Sequence, residues 1–485
     1  MKRRTILITI DCLRQDHLEI YGYPLNVAPN LLKFSKKSII FENAIANGPN
    51  TPPSFYSIFT STIPTLSGIY APLPLNKKSF SEILYANGIN TCAVHSNPHL
   101  GKNCNYDKGF KYFFDVYENP PYELKKKISK KGKNIFKILD IKGKIIIIRN
   151  KIFKIFKINQ RISQVKKKKI KFPYSNARII TSEAIKWLEK NYNSNFFLWI
   201  HYMDVHRPYY PSNDFIKKLS DEKVSDSLKI YINSLYDNYK NNPDFFNKIT
   251  DNDVKLVNLL YDAEILNVDH YLGIFFTFLK KLNIYDKINI IITADHGQAL
   301  FDHNQLSHDA SLYDELLRIP LIIKIRDSSI KSRRIFEQVE LIDISQTILD
   351  LFDLPQEKTF MGHSLIPLIK KNKHYTHPKY SISALYHANG KMFTAFRKKI
   401  QLYKLLISCR TLNWKLIYDN REKKSKLFNL KEDPNELYNL INEKREEVIF
   451  IKNQLFDKIK SYIKDYDLEK KKIKEIIKRD SLKFI

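Results

Sequence analysis

Met1-Lys-Arg-Arg-Thr-Ile-Leu-Ile-Thr-Ile-Asp11 opens the chain. A basic start followed by apolar residues has the outline of a secretory signal. The apolar run, however, is about six residues long and ends in Asp11, shorter than the 7–15 residues of a signal core. Thr5–Ile10 is continuous, β-branched and closed by a polar residue, which is the pattern of a strand buried on both faces in a parallel sheet.

Comparable runs recur. Asn90–His95 follows a helical stretch at 81–87 that ends at Gly88, and 196–201 (FFLWIH) follows one at 182–190. Residues 288–293 (INIIIT) follow a long amphipathic stretch at 254–282, and 321–324 (LIIK) come after Pro320. Strands alternating with helices predict an α/β fold, a mostly parallel central sheet with helices on both faces. Ligands of such sheets bind at the carboxyl ends of the strands. Asp11, His95–His99, His201–His206 and Asp295–His296 all fall there. Beyond about residue 376 short strand-like pieces crowd together (393–396, 404–408, 414–418, 426–429), predicting a small antiparallel sheet. The expected organisation is a catalytic domain at 1–375, an antiparallel subdomain at 376–440, and a helix with a Lys-rich tail at 441–485.

The 485 residues carry 81 Lys and Arg against 51 Asp and Glu, a net charge of +30. With 43% hydrophobic residues the chain can build a sizeable core, so a wholly disordered chain is excluded. Twelve glycines and four scattered cysteines without a C-x-x-C pair exclude a collagen-like chain, a disulfide scaffold and a structural zinc site. No apolar run reaches the 18 residues of a membrane span. The expected location is cytoplasmic.

Charge concentrates in one place. Residues 125–171, within an insertion at about 122–171, hold nineteen Lys and Arg against one acid, Asp140. Its centre, Lys151-Ile-Phe-Lys-Ile-Phe-Lys-Ile158, gives a helix an apolar face flanked by positive charge. Such a helix suits an anionic membrane surface, which would place the protein peripherally on the inner membrane face. The same block also reads as a solvated Lys-rich hairpin. It lacks the motifs of a nucleic-acid binder, so nucleic acid is not an expected partner.

Four motifs carry chemistry. Asp11-Cys-Leu-Arg-Gln-Asp-His17 puts a carboxylate at a strand end, a natural ligand for a hard metal. Asn47-Gly-Pro-Asn-Thr51-Pro-Pro-Ser54 leads a Gly/Pro-rich loop into a helix whose N-terminus favours negative charge at Thr51. Thr293-Ala-Asp295-His296-Gly297 sets an oxygen beside an imidazole nitrogen, a pairing that suits Zn or Mn. His201-Tyr-Met-Asp204-Val-His206-Arg-Pro-Tyr209 and the downstream His303 and His308 add polar groups. Taken singly, each has a plainer reading: a capping Asp, a capping Thr51 or Ser54, a structural histidine.

In order along the chain, these motifs resemble the sulfatase branch of the alkaline phosphatase superfamily. So do Leu312-Tyr-Asp-Glu-Leu-Leu-Arg-Ile-Pro320 and Leu427-Phe-Asn-Leu-Lys-Glu-Asp433-Pro434-Asn-Glu436-Leu-Tyr-Asn439-Leu440. The resemblance implies an alkaline phosphatase-like fold. It also implies one divalent ion (Mn, Zn, Mg or Ca) on Asp11, Thr51, Asp295 and His296, with a two-ion site involving His201 and Asp204 as the alternative.

The departures from the family pattern share a direction. Sulfatases carry Cys or Ser, oxidised to formylglycine, in a Cys-x-Pro-x-Arg motif; here the residues are Thr51-Pro-Pro-Ser54-Phe55, so no formylglycine is expected. The sulfate-binding Lys of the family is replaced by Asn97 beside the retained His99. A second family Lys is absent, Asp309 being nearest, and the family's paired Asp-Asp is Asp11-Cys12. Threonine serves relatives that act on phosphorus. The resemblance therefore implies a metal-dependent phosphoester hydrolase or phosphotransferase working through a covalent Thr51 intermediate. The alternatives are a sulfuric ester hydrolase without formylglycine and a non-catalytic basic membrane- or nucleic-acid-binding protein. Expected catalytic residues are Thr51, His308 as proton donor to the leaving group, and His206. Asn97, His99, His201 and Asp204 are the expected substrate contacts, and His17 and His303 are expected at the surface. The expected partner is a small-molecule, lipid- or glycan-linked phosphate or sulfate ester.

Overall fold

Period-two alternation along Phe196–Tyr202 shows how the chain is layered. Phe197 meets Phe80, and Trp199 packs between Phe55 and Phe59, on one side of the strand. Phe196 meets Trp187, and Tyr202 Oη is 2.8 Å from Thr181 Oγ1, on the other. Both faces are covered, which is why the strand is continuously apolar. The structure is a computed structural model and describes residues 2–64, 72–74, 77–117, 176–241, 244–308, 311–327, 329–372, 374–387 and 404–481. The basic insertion at 122–171, the piece at 393–396 and Asp309 lie outside the described residues.

The strands are β1 Arg4–Ile10, β2 Ile39–Ile45, β3 Asn90–His95, β4 Tyr112–Asp115, β5 Phe196–Tyr202, β6 Asn289–Ala294, β7 Ala299–Leu300 and β8 Leu306–Ser307. They continue with β9 Arg318–Lys324, β10 Arg333–Glu340, β11 Ser381–His387, β12 Lys404–Arg410, β13 Trp414–Asp419 and β14 Lys424–Asn429. Eight form the central sheet in the order β10-β2-β9-β6-β1-β5-β3-β4. It is mostly parallel; β9 alone runs against both of its neighbours. β1 pairs with β5 and β6 in register, with Ile10 level with Tyr202 and with Ala294. The next residues of these three strands, Asp11, Met203 and Asp295, therefore leave the sheet together at its carboxyl edge.

Helices α1 Thr51–Thr60 and α2 Phe80–Ala86 cover the Trp199 face. Helix α3 Ala177–Asn191 covers the other, with α4 Asp251–Lys281 packed on it. α4 starts in a capping box between Thr250 and Asp253. Among the described residues no helix is long and apolar enough to cross a membrane.

Strands β11–β14 form a four-stranded antiparallel sheet. Helix α5 Glu446–Ser481 packs on it: Val448, Leu455 and Ile459 close a second core with Ile407, Leu416 and Leu427. The tail helix and the small sheet thus share one core. Lys415, fully buried on β13, ties this sheet to the main body through Asp314 (2.7 Å) and also pairs with Glu436 in the segment after β14 (2.9 Å). Burial alone would lower the Lys415 pKa, but the two carboxylates outweigh it and raise it.

Candidate active site

The backbone after β1 turns sharply. Cys12 has φ 60°, a left-handed value that costs a non-glycine residue about 1 kcal/mol or more. The turn lets its N–H reach Asp295 Oδ1 at 3.3 Å. After β6, the His296 N–H donates to the same Asp295 oxygen at 3.0 Å. Gly297 then passes so close to the Glu315 carbonyl that a Cβ would lie 2.0 Å from it, so only glycine fits. The close approach docks the Asp295-His296-Gly297 motif against Leu312–Leu317.

α1 brings the hydroxyl. Asn50 is its N-cap residue, and Pro52 and Pro53 occupy the first turn, where a missing N–H costs nothing. The local hydroxyl bond falls to Ser54, whose Oγ donates to the Gly48 carbonyl at 2.9 Å. Thr51 instead donates to Asp11 Oδ2 at 3.2 Å and lies 3.4 Å from His296 Nε2. His296 Nε2 is 3.8 Å from Asp11 Oδ1 and 3.5 Å from Asp295 Oδ2. The structure thus brings Asp11, Thr51, Asp295 and His296 together.

Two fully buried carboxylates lie here, and buried charge is held by pairing, by a metal ion or by protonation. Burial disfavours the charged form of Asp11, but His201, His206 and His296 outweigh it and hold its carboxyl well below the usual range. Burial and the Asp11 charge push Asp295 up to about 6. Asp295 Oδ2 is buried with no hydrogen-bond partner of normal geometry. An orphaned carboxylate oxygen within an O/N donor set fits a divalent ion.

Asn97 stands beside this group, donating from Nδ2 to Asp11 Oδ2 at 3.2 Å. The His99 N–H donates to Asn97 Oδ1 at 2.9 Å and braces that side chain. His206 and His308 approach each other with ring centroids 5.2 Å apart, and His308 lies 4.6 Å from His296.

Of the remaining expected residues, His201 lies behind Asp11 and Asp204 turns away from it. His201 is fully buried, 2.9 Å from Thr9 Oγ1 and 3.5 Å from Asp11 Oδ2, so it braces Asp11 from behind. Asp204 faces away: Oδ1 accepts from the Ala177 N–H at the start of α3 (2.9 Å) and from Asn267 (3.0 Å). His201 and Asp204 therefore do not assemble into a shared metal site. His17 is not a surface residue, because it pairs with buried Asp262 at 2.7 Å and stacks on Tyr23. His303 is likewise held, stacked 3.6 Å from the Tyr313 ring and paired with Glu315 at 2.9 Å. Both partners lie far along the chain or across a loop, out of reach of local sequence patterns.

Two residues had no expected role. Cys12 Sγ lies 3.0 Å from Asp11 Oδ1 and 3.7 Å from His308 Nδ1. Gln298 Oε1 is 2.8 Å from His308 Nδ1. The available signal was position: Cys12 stands where the family has its second aspartate, and Gln298 follows the Asp-His-Gly turn.

Residues 3–354 match the family described as Sulfatase, and 302–465 match the one described as N-sulphoglucosamine sulphohydrolase, C-terminal. Arylsulfatase K of Bos taurus is 26% identical over 289 residues, 54% of this chain and 51% of that protein. The chain thus spans about half the length of the curated relatives it matches first. Its fold is similar to phosphonate monoester hydrolase of Agrobacterium radiobacter, with a TM-score of 0.69 at 17% identity, covering 96% of each chain. It is also similar to a protein solved with its substrate D-glucosamine-2-N,6-O-disulfate, with a TM-score of 0.67 at 16% identity, covering 96% of this chain and 98% of that one.

Proposed function

The chain belongs to the sulfatase family, and from that premise we propose that it is a metal-dependent phosphoester hydrolase or phosphotransferase acting through a covalent bond to Thr51. The observation that carries this reading is the Thr51 hydroxyl, 3.2 Å from Asp11 and 3.4 Å from His296 at the start of α1. Oxidation of a secondary alcohol gives a ketone, so Thr51 cannot supply the aldehyde of formylglycine. It can attack as an alkoxide.

Asp11, Thr51, Asp295 and His296 are the residues that would hold the ion. A divalent ion bound there lowers the hydroxyl pKa of Thr51 and withdraws charge from the oxygen of the group being transferred. Thr51, its hydroxyl proton lost to solvent, would form a new Oγ1–P bond as the ester P–O bond breaks and the alcohol leaves with a proton from solvent; water or an acceptor alcohol would later take the phosphoryl group from Thr51 and restore its hydroxyl. The α1 N-terminus supplies dipoles toward the developing charge. Asn97 and His99 are proposed contacts of the non-bridging oxygens, and His201 keeps Asp11 oriented.

A sulfate ester is the second reading, and it rests on one observation: the matched relatives are named as arylsulfatases. A glycan-linked ester is the substrate class that the disulfated-glucosamine complex suggests for either chemistry. Rapid quenching during turnover of an aryl phosphate, followed by mass spectrometry, tests the covalent step. A phosphoryl adduct on the Thr51 peptide is the expected result. An adduct on another residue would overturn the assignment of Thr51.

A further inference from the structure

We infer that Cys12, His206 and His308 form a second divalent-ion site, thiolate-containing and selective for zinc-like ions, beside the Asp11–Thr51–Asp295–His296 set. The inference deepens the reading above and rests on it for the presence of a first ion.

The ligand atoms of the three side chains lie within 4.8 Å of one another. Cys12 Sγ is 3.7 Å from His308 Nδ1, and the two imidazoles are neighbours at 5.2 Å between centroids. An ion held there would take one sulfur and two nitrogens at the roughly 2.0–2.3 Å bond lengths of zinc.

Both histidines are oriented as ligands usually are. His206 Nδ1 is hydrogen-bonded to the Arg207 carbonyl. His308 Nδ1 is 2.8 Å from Gln298 Oε1. The Gln298 amide is fixed with its oxygen toward His308, because its nitrogen donates to Tyr209 Oη at 2.8 Å. A carbonyl oxygen at Nδ1 selects the Nδ1–H tautomer, so Nε2 is the nitrogen through which each ring would bind the ion, and the 3.7 Å contact of His308 Nδ1 with Cys12 Sγ records only that ring and sulfur are neighbours. This outer arrangement is the one that sets ring orientation and basicity in metal-ligating histidines. His296 repeats it, with Nδ1 2.8 Å from the Gly297 carbonyl.

The sulfur decides which ion. Carboxylates and water suit Mg, Ca and Mn, whereas thiolate with imidazole suits Zn. A Cys-His-His set supplies three protein ligands and leaves a fourth position open, the arrangement of reactive rather than structural zinc sites. Cys12 also lies 3.0 Å from Asp11 Oδ1, so the second site adjoins the first. Adjacent ions can stabilise both the attacking and the departing oxygen of an in-line transfer. The placement makes His308 a ligand rather than the proton donor expected from sequence.

Equilibrating the full chain with Zn²⁺ or Co²⁺, removing excess ion and measuring bound metal and absorption tests the inference. The wild type is expected to bind two equivalents and, with Co²⁺, to show thiolate-to-cobalt charge-transfer absorption. Cys12→Ser is expected to bind one equivalent and lose that absorption. His308→Ala, with circular dichroism matching the wild type, is expected to lose one equivalent as well. One equivalent in the wild type, or absorption that survives both substitutions, would overturn the second site. So would absorption lost in Asp295→Asn but kept in His206→Ala and His308→Ala, because Cys12 would then serve the first ion. Metal content is read without turnover, so failure of the phosphoester reading leaves this result separately visible.

Discussion

Thr51 Oγ1 lies 3.2 Å from Asp11 Oδ2, although forty residues separate the two. The first residue of a helix and the last of a central strand's run meet because β1 ends at the sheet edge where α1 begins. The contact joins a hydroxyl with no capping duty to a carboxylate that also takes Asn97 and faces His201. Replacing Thr51 by Ala should cut turnover at least about 10³-fold, with the thermal midpoint close to wild type and metal affinity reduced by the loss of one ligand oxygen. Thr51→Ser should keep measurable turnover. Equal rates for Thr51→Ala and the wild type would remove Thr51 from the chemistry.

Inner and outer ligand positions should separate by affinity. His201 touches Asp11 but is not placed as a ligand, so His201→Gln should weaken metal binding by roughly 10–100-fold. Asp295→Asn alters a direct ligand oxygen and should weaken it further. Chelator competition on each variant gives the order, and a larger loss for His201→Gln would reverse the assignment.

The ion pairs under the small sheet should dominate its attachment. Lys415→Met leaves Asp314 and Glu436 buried, with only Arg410 still on Asp314. Loss of one partner from such a group costs about 3–5 kcal/mol. Urea denaturation of Lys415→Met should show a fall of that size. A midpoint unchanged from wild type would mean that the pairs contribute nothing net.

Stability should also depend on Asp269. Burial pushes its carboxyl from 3.8 up to about 6, despite hydrogen bonds from Asn30 and Leu31. The folded state holds its proton more tightly, so the contribution is complete below pH 3.8 and is lost as pH rises to about 6. Two units correspond to about 3 kcal/mol. Asp269→Asn should flatten the stability profile across that window, and a profile as steep as wild type would assign the dependence to other groups.

Sequence legibility followed burial. β1, β5 and β6 are read directly because both of their faces are covered, and they bring Asp11 and Asp295 to one edge. β2 and β10 escape notice because each is interrupted by polar residues, Glu42 and Asn43 in one and Glu337 and Gln338 in the other, where the β2–β10 register shifts. β4 is a four-residue edge strand, too short to announce itself. In the site, the residues at strand ends and at a helix start, Asp11, Asp295, His296 and Thr51, lie beside one another. His17, His201, His303 and Asp204 were not assigned their neighbours, since Asp262, Thr9, Tyr313 and Ala177 reach them only through tertiary packing. The C-terminal Asp433–Asn439 segment proved structural: Asp433 accepts the N–H groups of Leu437 and Tyr438, and Asn439 accepts that of Leu427.

Thr51 is proposed to serve phosphorus rather than sulfur. The most direct test is the ratio of kcat/KM for an aryl phosphate or phosphodiester to that for the matching aryl sulfate, measured on metal-loaded protein. The expected result is a ratio well above one that collapses in Thr51→Ala. A ratio below one, with sulfate turnover intact, would contradict it.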